Sequence, residues 1–362
     1  MKTKKILTNA NKFYRKANGI YNKIIVIILL LVVGSLIIYM VNSRGGKVDV
    51  INVDNVDSGT YIECPQTADK YLETVNYQDI NTVKQISVIN FETEVLVSSN
   101  KKNIIPPITK PEFTDYVILD ECFMDSQKVI TVTIGEETKI YPLAILEYHL
   151  VINDVMGYTP IIVVYTPITG ITRVYKSSVK GEKYIFGHSG NLYRNTDLLV
   201  DFKTDSLWSS KEGTALVGIM TGATLEKLDF RLMNYGKAKQ DFPNGKVMTF
   251  ATGFRRGYGL DPFVEYKNSN ALFQEPAYKY QVIEDKQQVI GFEYNENHYA
   301  VELSKITENA PYISKIEEKN LKIILSGGEY IAYLGSGEDG RIVTDIMYWF
   351  TWYDYNPDTR VL

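Results

Sequence analysis

Positions 24–41 form an unbroken apolar run of eighteen residues without charge, in which only Gly34, Ser35 and Tyr39 interrupt the aliphatic side chains. At about 1.5 Å per residue a helix of this length nearly spans a hydrocarbon core of about 30 Å, and aromatic rings favour the two interfaces, near which Tyr21 and Tyr39 fall. Lys2, Lys4, Lys5, Lys12, Arg15, Lys16 and Lys23 precede the run, against Arg44 and Lys47 just after it. The positive-inside rule therefore places the N-terminus in the cytoplasm. The run exceeds the apolar core of a usual signal peptide, and Met40-Val41-Asn42-Ser43-Arg44 makes a poor cleavage site, so it reads as an uncleaved anchor. The expectation is a single-pass protein of the cell membrane: a basic cytoplasmic tail at 1–23, a transmembrane helix at 24–41, and everything after it extracytoplasmic.

Beyond the anchor, 42–103 reads as a polar membrane-proximal segment with short β-like runs at 86–89 and 94–97. Pro106, Pro107 and Pro111 stiffen the entry into a main domain at 104–266, because proline fixes its own φ and extends the residue before it. Within it, β-branched and aromatic runs bounded by turn residues predict strands at 129–134, 161–165, 172–175, 183–186, 198–202 and 246–250. Helical spacing predicts helices at 142–149, 231–242 and 346–355, the last two stopped by Pro243 and Pro357. The 129–143 segment aligns with 289–303 at an offset of 160, and 243–248 aligns with 357–362 at an offset of 114. This imperfect internal repeat makes 267–362 a second copy, shorter by 46 residues. The expected fold is α+β, predominantly β, with a few short helices. Function would then lodge in the motif-bearing middle that the second copy lacks.

Charge and cysteines narrow the partners. Nine basic and no acidic residues occupy 1–48, leaving 30 basic against 43 acidic residues beyond it. Such a body repels phosphate backbones, and nucleic acid is not an expected partner. Cys64 and Cys122 are the only cysteines; an oxidising compartment would allow them to pair with each other, but nothing in the sequence brings them together, and the plainer reading is two buried or partly exposed thiols.

An ordered series of motifs carries a resemblance. Ile105-Pro106-Pro107-Ile108, Ile140-Tyr141-Pro142-Leu143, His149 with Val151-Ile152-Asn153-Asp154, Val164-Tyr165-Thr166-Pro167-Ile168-Thr169-Gly170, Phe186-Gly187-His188-Ser189-Gly190-Asn191-Leu192-Tyr193, Asp205-Ser206-Leu207-Trp208-Ser209 and Thr252-Gly253-Phe254-Arg255-Arg256-Gly257-Tyr258-Gly259 recur in one order. The chain in this respect resembles the bacterial domain-of-unknown-function family DUF3179, over about 104–266 and more weakly to the C-terminus. Similar members usually read Tyr-Cys-Pro-Leu-Cys-Gly where this chain has Thr166 and Thr169, and carry Glu where it has Leu150. Two thiols beside a histidine could hold a soft metal or cycle as a dithiol, and threonine hydroxyls do neither well. The resemblance thus implies a variant with a degenerate thiol or metal site, and neither a cofactor nor a bound metal is expected.

The remaining chemistry is weaker. His149 on an apolar helix face reads as a hydrogen-bonded core residue. Gly187-His188-Ser189-Gly190-Asn191 misses the Gly-x-Ser-x-Gly elbow by its last glycine, so Ser189 reads as part of a turn. The 335–340 stretch matches Gly-x-Gly-x-x-Gly, yet the chain ends too soon for the βαβ unit a dinucleotide needs, and a hairpin turn is expected. Tyr193, Arg194, Asp197, Asp205, Trp208, Arg255, Arg256, Tyr258 and Asp261 offer cations, carboxylates and stacking faces to a small polar or carbohydrate-like ligand. Two classes of function follow: an anchored extracytoplasmic binding or structural module, or an extracytoplasmic enzyme such as a hydrolase using His149, Ser189 or nearby acids. Any pocket is expected on the first copy, gathering the His149 helix, the 166–170 turn, the 187–193 loop and Arg255-Arg256.

Protease added to intact cells should remove the chain beyond Lys47 and spare the basic tail, as read with an antibody to each part. A full-length soluble protein in the cytoplasm would contradict the topology.

Overall fold

A computed structural model describes residues 82–84, 96–98, 105–120, 122–335 and 340–362. The apolar run at 24–41, Cys64 and residues 336–339 lie outside them, and no helix among the described residues is long and apolar enough to cross a membrane.

Strands β1 (Thr82–Lys84), β2 (Leu96–Ser98) and β3 (Phe113–Thr114) and a one-turn helix α1 (Tyr116–Leu119) come first. The first repeat unit then runs through β4 (Lys128–Ile134), β5 (Glu137–Pro142), α2 (Leu143–His149), β6 (Val151–Met156), β7 (Thr159–Thr166) and β8 (Ile171–Lys176). An insertion follows, made of the short strands β9 (Ser178–Val179) and β10 (Glu182–Lys183), then β11 (Phe186–Tyr193), β12 (Thr196–Asp201), β13 (Leu207–Ser209) and β14 (Ala215–Val217). The unit resumes with β15 (Arg231–Asn234), α3 (Tyr235–Asp241) and β16 (Lys246–Met248), and α4 (Val264–Asn268) lies in the connection that follows. The second unit comprises β17 (Gln288–Tyr294), β18 (Asn297–Glu302), a 3-10 turn at Leu303–Lys305, β19 (Tyr312–Ile316), β20 (Lys319–Ser326), β21 (Glu329–Leu334), β22 (Asp345–Tyr348), α5 (Trp349–Tyr355) and β23 (Arg360–Val361).

The protein is thus mostly β with a few short helices, and its five main sheets stand in a propeller-like arrangement: β15-β4-β5-β16-β3, β6-β7-β8, β1-β2-β11-β12-β13-β14, β22-β17-β18-β23 and β19-β20-β21. The repeat is carried by strand register. Thr131 of β4 faces Arg231 of β15, and 160 and 114 residues on, Gly291 faces Asp345. Ile140 pairs in parallel with Val247, as Ala300 does with Val361. Ile152 faces Val163 as Tyr312 faces Ile323, so the equivalence continues into the three-stranded sheets. Packing compensates between copies: Trp352 of α5 lies over Gly291, where an added Cβ would sit 2.4 Å from the indole, whereas the equivalent positions in the first copy hold buried Ala238 and Thr131.

Two seams join the copies, and they are reciprocal. The amide of Asn234 on β15 donates to Gly327 O between β20 and β21 at 2.8 Å, and the equivalent amide of Tyr348 on β22 donates to Thr169 O between β7 and β8 at 2.8 Å. Each seam is reinforced by an arginine–carboxylate pair of opposite polarity. Arg231 binds buried Glu329 through Nε and Nη2 at 2.6–3.1 Å, while buried Arg173 reaches Asp345 at 2.8 Å. The first pair belongs to a wider network, since Arg231 also binds Asp241 and Glu329 also binds Arg341.

Several predicted elements need correction. Residues 231–234 and 345–348 are strands, not the first turns of helices: each enters its sheet against β4 or β17 before the helix begins at Tyr235 or Trp349. The 187–193 stretch is not a loop but part of β11, bulged between His188 and Leu192 around Gly190 at φ +77°. Across the 335–340 stretch the chain does turn back as expected: Tyr333 and Arg341 form an antiparallel bridge and the Ile342 amide donates to Ala332 O at 3.0 Å before β22 joins a different sheet. Cys122 is disulfide-bonded and not a free thiol, and Cys64 is the one other cysteine of the chain.

Candidate functional site

His149 closes α2, whose apolar residues Ile145, Leu146 and Tyr148 are buried with it. The following residue, Leu150, takes a left-handed φ of +58° that ends the helix and starts β6 at once. That conformation is costly for a leucine and is held by its amide bonding to Leu146 O at 2.7 Å. The imidazole is fully buried: Nδ1 lies 2.7 Å from Pro106 O and Nε2 lies 2.7 Å from the Tyr258 hydroxyl. A carbonyl can only accept, so Nδ1 carries the proton and Nε2 accepts from Tyr258, which in turn stands 2.6 Å from the Thr252 hydroxyl. Burial pushes the imidazole down to about 4, helped by Arg256 and opposed by the Pro106 bond. His149 is thus a neutral, doubly bonded core residue in the polar chain Thr252–Tyr258–His149–Pro106.

Thr166 and Thr169 frame the turn between β7 and β8. Both are fully buried, and the amides of Thr169 and Gly170 fold back onto Thr166 O at 3.1 and 2.8 Å. Gly170 takes φ +77°, a conformation glycine adopts without strain. The Thr169 hydroxyl donates to Thr166 O at 3.3 Å, while Thr166 Oγ1 makes no regular hydrogen bond. It lies close enough to Asp197 to pull that carboxyl downward, although the pair falls short of good hydrogen-bond geometry. Asp197 is buried, and desolvation dominates, raising it to about 7. Its Oδ1 stands 3.5 Å from Nδ1 of His188, which burial lowers to about 4. At that separation and with those shifts the pair sits as neutral imidazole beside a carboxyl that titrates near neutrality.

The other candidates fall into separate local groups. Ser189 opens the β11 bulge, and its hydroxyl accepts from the Asn191 amide at 3.1 Å and side chain at 3.3 Å. Tyr193 ends the strand, with the Arg194 guanidinium 5.9 Å from its ring. Trp208 is fully buried and donates from Nε1 to Asp201 Oδ2 at 2.9 Å, and Asp205 turns the chain beside it at φ +57°, its amide on Asp201 O. Arg255 is exposed, and Arg256 sits near enough to His149 and Tyr148 to bear on both.

An open cleft of about 660 Å³ lies elsewhere, at a seam. It is lined by Tyr165, Lys267, Lys286, Gln287, Gln288, Ser304, Tyr330 and Tyr348 with two aliphatic residues, and none of the candidate site positions named from the sequence lines it. It opens beside the 166–170 turn, whose Thr169 carbonyl is held by the Tyr348 amide of β22. Lys267 bridges Glu147 at 2.7 Å and Asp261 at 2.8 Å. Lys286 bonds Tyr266 O and Ser269 Oγ, and burial lowers it to about 8. Among the described residues no group of three or more His, Cys, Asp or Glu is placed to hold a metal ion.

The order of the motifs agrees with one assignment. The chain belongs to the family described as protein of unknown function (DUF3179), matched over residues 102–344 and so across both copies. No curated protein and no solved structure matches it.

The buried acid makes a signed prediction. A carboxyl raised from 3.8 to about 7 on folding contributes stability that is present at low pH and lost as pH rises through 7. Asp197→Asn should therefore match wild type near pH 4 and exceed it by a few kcal/mol at pH 8, measured by urea unfolding at both values. Equal differences at both would mean that Asp197 is ionised in the native state across this range.

Proposed function

We propose that the chain is a membrane-anchored extracytoplasmic binding or structural module in which the family's thiol position has become a structural turn. One observation carries this reading: the turn bearing Thr166 and Thr169 is spent on the fold, its threonines fully buried and its Thr169 carbonyl holding Tyr348 of the other copy. A reactive pair needs solvent or substrate access, which this turn does not offer. The extracytoplasmic placement is supported by the 24–41 run, the basic tail before it, and the disulfide at Cys122, since such bonds persist in oxidising compartments. The lipid bilayer would be the partner of the N-terminal segment, and a small polar or carbohydrate-like ligand the partner of the body.

A hydrolase is less well supported. The Ser189 hydroxyl is nearly buried and already accepts from Asn191, and His188 next to it faces Asp197. His149 is neutral and committed at both nitrogens.

Full-length protein purified in detergent should contain no stoichiometric copper, zinc or iron by elemental analysis. One tightly held equivalent, lost in His149→Ala, would mean that a working metal site has been mistaken for a degenerate one.

A further inference from the structure

We propose that the cleft at the seam between the two copies binds an acidic carbohydrate, its carboxylate against Lys286 and its hydroxyls against Tyr165, Tyr348 and the Gln287 and Gln288 amides. The proposal rests on reading the chain as a binding module and names the ligand class that module takes. At about 660 Å³ the cleft falls within the range of small-molecule sites. Tyr165 and Tyr348 come from different copies, are only 7% and 6% exposed, and both line it. Neither hydroxyl hydrogen-bonds to another described residue and neither is sealed from solvent, so both phenol tips are open to a ligand while their rings are packed.

The charges select the ligand. Lys267 is already compensated by Glu147 and Asp261, so the back of the cleft holds no spare positive charge. Lys286 has no carboxylate partner: its ammonium lies 3.4 Å from the centre of the Tyr266 ring and donates to Tyr266 O and Ser269 Oγ, so its charge is uncompensated by any anion. A single uncompensated cation suits one sugar carboxylate, with a second left in solvent, better than a phosphate chain, and the net-acidic body would repel a longer polyanion. The half-buried Tyr330 and the two glutamine side chains, which bond to no other described residue, add a stacking face and paired donors and acceptors suited to a polyol. Burial holds Lys286 near 8, so a seated carboxylate would favour its charged form.

The test uses full-length protein in detergent micelles, with digalacturonate as probe and maltose as a neutral disaccharide control, by equilibrium dialysis at pH 7. The expected result is saturable binding of digalacturonate, weakened at least tenfold in Lys286→Gln and severalfold in Tyr348→Phe, with maltose bound more weakly and indifferent to Lys286→Gln. No saturable binding at millimolar digalacturonate, or equal affinity in both variants and wild type, would overturn the cleft as its site. Chromatography of the dialysate separates the two claims: cleavage of the disaccharide, reduced by either variant, would overturn the non-catalytic reading while supporting the cleft.

Discussion

The bond from the Tyr348 amide to the Thr169 carbonyl is the constraint on which the rest of the structure depends. It joins the first copy's β7–β8 turn to the second copy's β22, and its counterpart from Asn234 to Gly327 joins them the other way. Neither copy satisfies these groups alone, and buried backbone donors and acceptors are almost always paired. The arginine pairs follow the same logic. Asp345 stands where Arg231 stands in the other copy, so the two seams use one position with opposite charge.

This closure determines what the first copy's turn can be. Four residues, Pro167 to Gly170, connect β7 to β8, while Gly327 and Gly328 alone connect β20 to β21. At the head of the longer turn Thr166 lies beside Asp197, where burial raises the acid and leaves the Thr166 hydroxyl unsatisfied. A polar cluster of this kind is costly unless paired or functional. It lies in the interior, while the accessible polar surface collects in the cleft beside it.

Much of the scaffold was legible because register is strict in a sheet: a one-residue slip would turn every side chain to the wrong face. That is why two weak alignments, at 160 and 114 residues, correspond to paired strands position by position. The helices at 231–242 and 346–355 were overextended because Arg231–Asn234 and Asp345–Tyr348 owe their strand geometry to neighbours far along the chain. The core position of His149 was legible from its apolar helix face, whereas its partners, Pro106 and Tyr258, were not. Asp197 was visible only as one acid among several, since its pairing with His188 arises from the β11–β12 hairpin. The cleft left almost no local signal: its residues are scattered from Tyr165 to Tyr348 and meet only once the copies close.

Native-state hydrogen exchange at the Tyr348 and Asn234 amides tests the reciprocal closure most directly. If the two seams hold one cooperative body, both amides exchange only by global unfolding, with the same free energy and the same dependence on denaturant. Exchange of the Tyr348 amide through a low-energy local opening, while Asn234 stays protected, would contradict the account and return the Thr166–Gly170 turn to the mobile, accessible state that a reactive site requires.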